Sequence, residues 1–382
     1  MFLAIRDIRF AKGRFALMGT VVALISLLLV LLSGLTAGLG NQSTSAIEQL
    51  GGGKAGDKVS QVVFGAPAGN DAKASYTESQ VTQEQLDSWA GRSGVQSAVP
   101  LGISQSRFQG AGDSKGIANV AVFGVGKAIP GNSGPGGPET ADGIAPSDVS
   151  DTTVVIGEGI AKELTLASGD AVTIAGTEFT VAGIVPDQWY SHSSVVWTTL
   201  GGWTKIAHLS DPSQLATVLA VTFQPGANVD TDTANAAAGT VSATRSGSFQ
   251  GLGGYKSENG SLLMMQAFLY GISALVIVAF LTVWTVQRTR DIAVLKAMGA
   301  SGGYLLRDAL TQAALVLIAG AGLGGLVGVA GGLLAGQAAP FLLTPATTLA
   351  PVIGIVVLGL AGAAIAVRKV TRVDAMIALG GN

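Results

Sequence analysis

The 382-residue sequence contains no cysteine and only two histidines. Without cysteine there is no disulfide, so any domain outside the cytoplasm must be held together by its own core. Charged residues make up only 12% of the chain, against 48% apolar residues. No G-x-x-x-x-G-K-[ST] motif occurs, so the loop that cradles nucleotide phosphates in many ATP-hydrolysing proteins is absent from this sequence.

Charge is missing altogether from three long stretches, which are residues 15–47, 259–287 and 309–367. A helix that crosses a bilayer needs roughly 20 apolar residues, so the last stretch has room for two. A cleaved signal peptide is the alternative for the N-terminus, but its apolar core usually has about 7–15 residues, and this run is far longer. The sequence therefore predicts four membrane-spanning helices, at 15–40, 259–286, 311–334 and 351–367.

Basic residues predict the orientation of these helices. The segments 1–14, 287–310 and 368–382 together carry 11 basic and 4 acidic residues, whereas segment 41–258 carries 11 basic and 20 acidic residues. Loops rich in Lys and Arg stay on the cytoplasmic side. We therefore expect a multi-pass protein of the plasma membrane with both termini cytoplasmic, including an amphipathic helix at 1–14. The domain 41–258 and the uncharged loop 335–350 are then extracellular.

The extracellular segment 41–258 reads as an α+β domain. Thr152–Gly157 is predicted to form a strand and Glu158–Asp170 a short helix. The two runs that flank Gly176-Thr177 alternate apolar and polar residues, which predicts a β-hairpin. Thr77–Gly91 has the pattern of an amphipathic helix, and 129–149 that of a surface loop. Further strands are predicted at Gly94–Ile103, Asn119–Val125, Val195–Thr198 and Thr217–Phe223.

The same segment lacks the groupings that chemistry requires. His192 is sixteen positions from His208, and no acidic cluster supplies metal-ligand spacing, so a surface or core histidine is the preferred interpretation. We find no nucleophile–base arrangement, which argues against an enzyme, and the acidic balance argues against nucleic-acid binding, which needs Lys and Arg.

The segment Gln287–Leu310, "QRTRDIAVLKAMGASGGYLLRDAL", predicts a helix closed by Gly299 and a second helix from about Ser301 that leads into the third span. An amphipathic helix lying on lipid is the simple interpretation. The segment also resembles the coupling segment of MacB/FtsX-type ABC permeases, in which a charged pair precedes an L-x-x-x-G-A turn. The matching and neighbouring positions are Arg290, Asp291, Leu295, Lys296, Met298, Gly299 and Ala300.

The resemblance extends over nearly the whole chain. The order of one span, a large outer domain and three further spans is similar to that of the family. Residues 154–186 resemble its periplasmic core domain, and Val367–Leu379 its C-terminal end. The resemblance implies a homodimeric exporter permease that works with two copies of a separate ABC ATPase. ATP–Mg would bind on that partner, and the permease itself would carry no intrinsic cofactor.

Small residues mark two of the predicted spans. In span 3, glycines recur every four residues from Gly320 to Gly336, and tight helix packing is the preferred interpretation there. In span 1, Gly34 and Gly38 continue into Asn41, Ser45 and Glu48. Tight packing is an alternative here too, but a small-residue face that ends in a carboxylate could also line a groove for a flat ligand at the outer leaflet.

Haem is the flat amphiphile that suits such a groove best. Its iron takes axial ligands from His, Met, Cys, Tyr or, less commonly, a carboxylate. With no cysteine, and no histidine expected near a span, the candidate ligands are Glu48, Glu258, Tyr255, Met264, Met265 and Tyr270. Glu48 is favoured as the iron ligand because it ends the small stripe. A solvated carboxylate is the ordinary fate of such a residue.

The N-terminal sequence and the modest outer domain are most similar to actinobacterial haem-exporter permeases of this superfamily. That likeness implies capture of haem from the outer leaflet and its expulsion. Two alternatives stay open. One is an FtsX-like permease that transmits ATPase motion to an outer-surface hydrolase, and the other is a lipoprotein, lipopeptide or antibiotic exporter of the MacB/LolC type.

Overall fold

The computed structural model describes residues 12–51, 59–65, 73–110, 116–126, 150–209, 211–287, 294 and 298–371, and the side chains of all of these except 284, 285 and 367–371. The helices are α1 (Lys12–Glu48), α2 (Gln83–Ala90), α3 (Glu158–Glu163), α4 (Leu200–Ile206), α5 (Thr231–Ala238), α6 (Tyr255–Gln287), α7 (Gly302–Ala335) and α8 (Pro345–Thr371). The strands are β1 (Gln61–Gly65), β2 (Val81–Thr82), β3 (Val95–Gly110), β4 (Ile117–Val125), β5 (Thr153–Gly157), β6 (Ala171–Ile174), β7 (Thr177–Val185), β8 (Trp189–Tyr190), β9 (Ser193–Thr199), β10 (Gln214–Ala216), β11 (Val218–Phe223) and β12 (Thr240–Thr244).

The chain divides into two compact units. An outer unit comprises Gly40–Glu258, and a membrane unit comprises Met1–Leu39 with Asn259–Asn382. Within the described residues, α1, α6, α7 and α8 are each long and apolar enough to cross a membrane. The prediction of four membrane helices with an α+β domain between the first and second is confirmed. Of the expected helix at 1–14, all but the last three residues lie outside the described ranges.

The membrane unit is built on close contact between α1 and α7. A Cβ added to Gly320 would lie 2.7 Å from the carbonyl oxygen of Gly19, and one added to Gly328 would lie 3.0 Å from Val30 Cβ. Ser26 Oγ donates to the carbonyl oxygen of Ala321 at 2.9 Å, a polar contact between the two helices. The expectation that the glycines of the third span serve tight packing is confirmed at these positions.

A ten-stranded sheet forms the body of the outer unit, in the order β12-β1-β11-β3-β4-β9-β5-β7-β6, with β8 added to β9. The predicted hairpin is β6–β7, and its two-residue turn is Ala175-Gly176, with φ of 48° and 84°. The turn lies one residue earlier than expected, because both loop residues of a tight hairpin of this type take positive φ.

An aromatic cluster fills the larger core of the outer unit. The ring of Phe123 contacts Tyr190 and Trp197 edge-on, with centroids 5.3 and 5.1 Å apart, and Tyr190 in turn contacts Tyr76. Burial raises the pKa of the Tyr76 and Tyr190 phenols far above their ordinary value, so both stay neutral. Ile47, at the end of α1, is fully buried in the same core.

Two predicted helices are shorter than expected. The helix predicted over Glu158–Asp170 ends at Glu163, because Thr165 takes a φ of 54° and the Leu166 N–H turns back to the carbonyl oxygen of Ala161. The helix predicted over Thr77–Gly91 begins only at Gln83, because the two residues before it pair with β10. The predicted loop at 129–149 lies outside the described residues.

Candidate functional site

The last two turns of α1 belong to the outer unit and are held there by the β8–β9 hairpin. Ser45 Oγ accepts a hydrogen bond from the Trp189 N–H at 2.9 Å and is buried. Gln188 Nε2 donates to Gln49 Oε1 at 2.8 Å, and Gln188 Oε1 accepts from the Trp197 indole N–H at 2.8 Å. Ser45, expected to line a groove, is therefore a structural contact between the helix and the hairpin.

The turn of that hairpin consists of Ser191 and His192, whose φ values are 47° and 62°. Positive φ is strained for residues with a Cβ, although histidine tolerates it better than most. The Ser191 N–H donates to the carbonyl oxygen of Ser43 at 3.1 Å, and the His192 N–H to that of Gln42 at 3.0 Å. The helix thus holds the backbone of the turn in its strained conformation.

The His192 imidazole contacts one of the two carboxylates proposed as iron ligands. Its Nε2 lies 3.0 Å from Glu258 Oε2 and 3.2 Å from Ser43 Oγ. The two paired side chains are 41% and 35% exposed, so a ligand can reach both. Glu258 lies in the first turn of α6, where the positive end of the helix dipole stabilises an anionic side chain.

Glu48 and Tyr255 are the other candidate ligands of the outer unit. The Glu48 side chain is exposed at the last residue of α1, and its charge lies close enough to act on the Tyr255 phenol. The Tyr255 ring also packs edge-on against Phe249, with centroids 6.0 Å apart. The outer unit thus holds two of the predicted ligand types, carboxylate and phenol, and adds an imidazole that was not expected and that contacts one of the carboxylates.

The remaining candidate ligands lie in the membrane unit on α6. Met264 and Met265 are 61% and 49% exposed, and Tyr270 is partly buried, where its ring would meet a Cβ added to Gly354. Met18, on α1, is buried in the helix core, where it packs. The assignment of Met264 or Met265 to a ligand stays a prediction.

The glycines predicted to line the groove are in contact with another segment of the membrane unit, the loop after α7. The Leu342 N–H donates to the carbonyl oxygen of Gly34 at 3.0 Å, and the Phe341 ring lies against Gly34. Gly38 faces the backbone of Pro340. In this conformation the stripe is therefore a packing surface, because the loop after α7 folds back onto it. Asn41 is half-buried at the start of the outer unit. The groove itself stays a prediction.

The predicted coupling segment is described only at its end. Arg290, Asp291, Leu295 and Lys296 lie outside the described residues. Met298 is 72% exposed, Ala300 is half-buried, and Gly299 takes a φ of 96°, which only glycine adopts easily. The second helix of the segment begins where expected, because Ser301 caps α7 by accepting from the Tyr304 N–H.

The expectation that no histidine lies near the outer ends of the first two spans is wrong. His192 is 149 residues from Ser43 and 66 from Glu258 in sequence, yet its ring reaches both. The signal in the sequence was the run of strand-forming residues around "YSHS", in which a two-residue turn would project the histidine. Nothing local indicated which helices that turn would meet. Within the described residues, no group of three or more His, Cys, Asp or Glu could hold a bare metal ion.

Comparison with known proteins extends over the whole chain. The chain is 25% identical over its full length to a Staphylococcus epidermidis protein provisionally named hemin transport system permease protein HrtB, and it covers 100% of that protein. It is 24% identical to an uncharacterised ABC transporter permease of Mycobacterium tuberculosis, again with 100% of this chain and 99% of the relative covered.

Among solved structures, the periplasmic region of MacB from Actinobacillus actinomycetemcomitans matches 52% of this chain and 92% of its own, with 15% identity and a TM-score of 0.35. The extracellular domain of the ABC-type transporter YknZ from Gram-positive bacteria matches 48% and 97%, with 12% identity and a TM-score of 0.32.

Family models account for most of the sequence. The MacB-like periplasmic core domain model matches residues 15–239, and the FtsX-like permease C-terminal model matches residues 263–375. The chain therefore belongs to the MacB/FtsX-type family of ABC transporter permeases, multi-pass membrane proteins in which a MacB-like core domain is followed by an FtsX-like permease region.

Proposed function

We propose that this permease is the membrane subunit of an efflux pump that takes haem from the outer leaflet and expels it. One observation carries the proposal: in the first turn of α6, Glu258 contacts His192, and Tyr255 of the same turn interacts with Glu48 at the end of α1. These side chains supply carboxylate oxygen, phenol oxygen and imidazole nitrogen, which are donors that haem iron accepts. The hemin-transport name of full-length relatives supports the same ligand.

The basic segments support an orientation with both termini and residues 287–310 on the cytoplasmic side. The domain 41–258, which carries the candidate residues, would then lie on the extracellular side, so we propose that the ligand is taken from the outer leaflet. Haem partitions into the bilayer because its porphyrin is apolar. It would therefore enter from the side, along α6. Only 11% of the apolar stretch of α6 is buried against the rest of the chain, compared with 44% for α7.

Energy for expulsion comes from a partner ATPase, because this sequence has no phosphate-binding loop. We propose two ATPase copies on a homodimer of the permease. The segment 287–310 would rest on the ATPase, and Gly299 and the Ser301 cap would make a firm corner between it and α7. A stiff corner of this kind passes a rigid-body movement to the spans, since packed helices change between discrete arrangements.

Haem binding is tested by absorbance titration of the purified permease in lipid nanodiscs. We expect a saturable, near-stoichiometric shift with hemin. Iron-free protoporphyrin has the same shape and carboxylates. It should not show the absorbance shift that arises when a protein side chain binds the iron. A hemin titration indistinguishable from that of empty nanodiscs would contradict haem as the ligand. Stimulation of the complex's ATPase by lipopeptides without hemin binding would then indicate the exporter alternative.

A further inference from the structure

The His192 imidazole is in direct contact with one of the candidate iron ligands, Glu258. Within the described residues, both hydrogen-bond contacts of its ring are made by Nε2, to Glu258 Oε2 at 3.0 Å and to Ser43 Oγ at 3.2 Å. The carboxylate can only accept when ionised, so the tautomer with a proton on Nε2 satisfies the pair. Oε2 of Glu258 is then occupied, and Oε1 has no hydrogen-bond partner in the described part of the chain.

This arrangement is the one that orients a metal-binding carboxylate. Ligating carboxylates are themselves hydrogen-bonded, and the bond to the second oxygen fixes the direction of the first. Glu48 differs, because no hydrogen bond to its carboxylate is found among the described residues, and its side chain is exposed at a helix end. The reason for favouring Glu48, its place at the end of an open small-residue stripe, also weakens, since Ser45 is buried against Trp189.

The strained turn gives a second, independent reason. A two-residue hairpin turn with positive φ at both positions is formed best by Asn-Gly or Gly-Gly, and an L-residue there costs roughly 1–2 kcal/mol. The hairpin does not need a histidine at position 192, yet the imidazole is placed there at 41% exposure against Glu258. Residues held in such conformations cluster at functional sites.

We propose that Glu258 is the iron ligand of the haem site and that His192 is its positioning residue. This inference rests on the proposed function. On binding, Oε1 of Glu258 replaces the water or hydroxide on ferric haem, with no change in oxidation state, and His192 keeps its proton on Nε2. Haem brings four nitrogen ligands of its own, so one oriented carboxylate suffices where a bare cation would need three or more protein ligands.

The two histidines of the chain supply a matched pair of variants. His192 and His208 both have positive φ, 62° and 46°, and both are exposed. Glycine relieves strain at either position, so His192→Gly and His208→Gly are both expected to fold. With hemin in phosphatidylglycerol nanodiscs, His192→Gly should weaken binding about 10–100-fold, the usual cost of removing the partner of a metal ligand. His208→Gly should titrate like the parent protein.

Two further variants identify the ligand. Glu258→Gln should abolish the iron-dependent absorbance shift and the high-spin ferric EPR signal of an oxygen-ligated haem. Its affinity for iron-free protoporphyrin should not change. A merely structural role for His192 would weaken hemin and protoporphyrin equally, whereas a positioning role weakens hemin alone.

Three results would overturn the inference while leaving haem binding intact. They are loss of the iron-dependent shift in Glu48→Gln with Glu258→Gln unaffected, a parent-like hemin titration in His192→Gly, or a low-spin nitrogen-ligated spectrum that disappears in His192→Gly. The last would make His192 itself the ligand. If the parent protein shows no iron-dependent shift, the proposed function fails, and this inference fails with it.

Discussion

Two neighbouring glycines of α1 differ in what an added methyl group would meet. At Gly38 a Cβ would collide with the Pro340 carbonyl group and lie 2.8 Å from the Phe341 backbone nitrogen. At Gly40 it would meet nothing within 4 Å. Both residues are helical, so the change to alanine gives each helix position the same intrinsic gain of about 1 kcal/mol. Any difference between the two variants therefore reports the contact with the loop.

The size of the stability change depends on whether the atoms that the new methyl group meets can shift. Overpacking typically costs about 1–3 kcal/mol, and the upper end applies at Gly38 because backbone atoms cannot rotate aside. After the gain in helix propensity, Gly38→Ala should lose about 2 kcal/mol of stability. Gly40→Ala should gain about 1 kcal/mol, which separates the two variants by about 3 kcal/mol.

Thermal unfolding of the two variants in the same nanodiscs provides the measurement. We expect the melting temperatures to fall in the order Gly40→Ala, parent, Gly38→Ala. If Gly38→Ala melts at or above Gly40→Ala, then Pro340 and Phe341 do not cover the stripe in a bilayer. The small-residue face would then be open, as a ligand groove requires.

Three further changes test the outer unit. Ser45→Val removes the acceptor of the Trp189 N–H and should cost about 1–3 kcal/mol, seen as faster proteolysis of the outer unit. Tyr76→Phe removes the buried 2.9 Å hydrogen bond to Ser248 and should cost about 1 kcal/mol in urea unfolding followed by tryptophan fluorescence. Hydrogen bonds from the Thr233 hydroxyl and then its N–H lower the pKa of Asp230 below 3.8. Its contribution is therefore full above that pH and is lost as the pH falls through the lowered pKa, so Asp230→Ala should destabilise at pH 7 and match the parent in strong acid.

The sequence predicts well those features that depend on the pattern of residues close together in the chain. Uncharged runs set the four membrane helices, and the four-residue glycine repeat of α7 indicates its packing face, because helical spacing puts Gly320, Gly324 and Gly328 on one side. Alternation and a Gly-containing turn likewise set the β6–β7 hairpin. Each of these patterns is read from residues close together in the sequence, so no knowledge of distant partners is needed.

The features that it misses depend on distant pairs. Whether Gly34 lines an open groove or packs against another segment depends on Phe341, about 300 residues away. Whether His192 is a surface residue or part of a site depends on a hairpin turn meeting Gln42 and Ser43. Periodicity also did not indicate the contact of Ser45 with Trp189, because a helical stripe tells which residues share a face and not what covers that face.

These contacts between distant residues change how the small residues of span 1 are interpreted, and with them the class of ligand that we propose. Its glycines contact the loop at Pro340–Phe341, and Ser45 contacts the hairpin, so packing accounts for the small residues in both units. What packing does not account for is the contact between His192 and Glu258, or the oxygen donors Glu48 and Tyr255 at the ends of α1 and α6. An acyl chain would need apolar walls at that point, which these side chains do not supply. Carboxylate, phenol and imidazole are donors that haem iron accepts, which is why we propose haem rather than an acyl chain as the ligand.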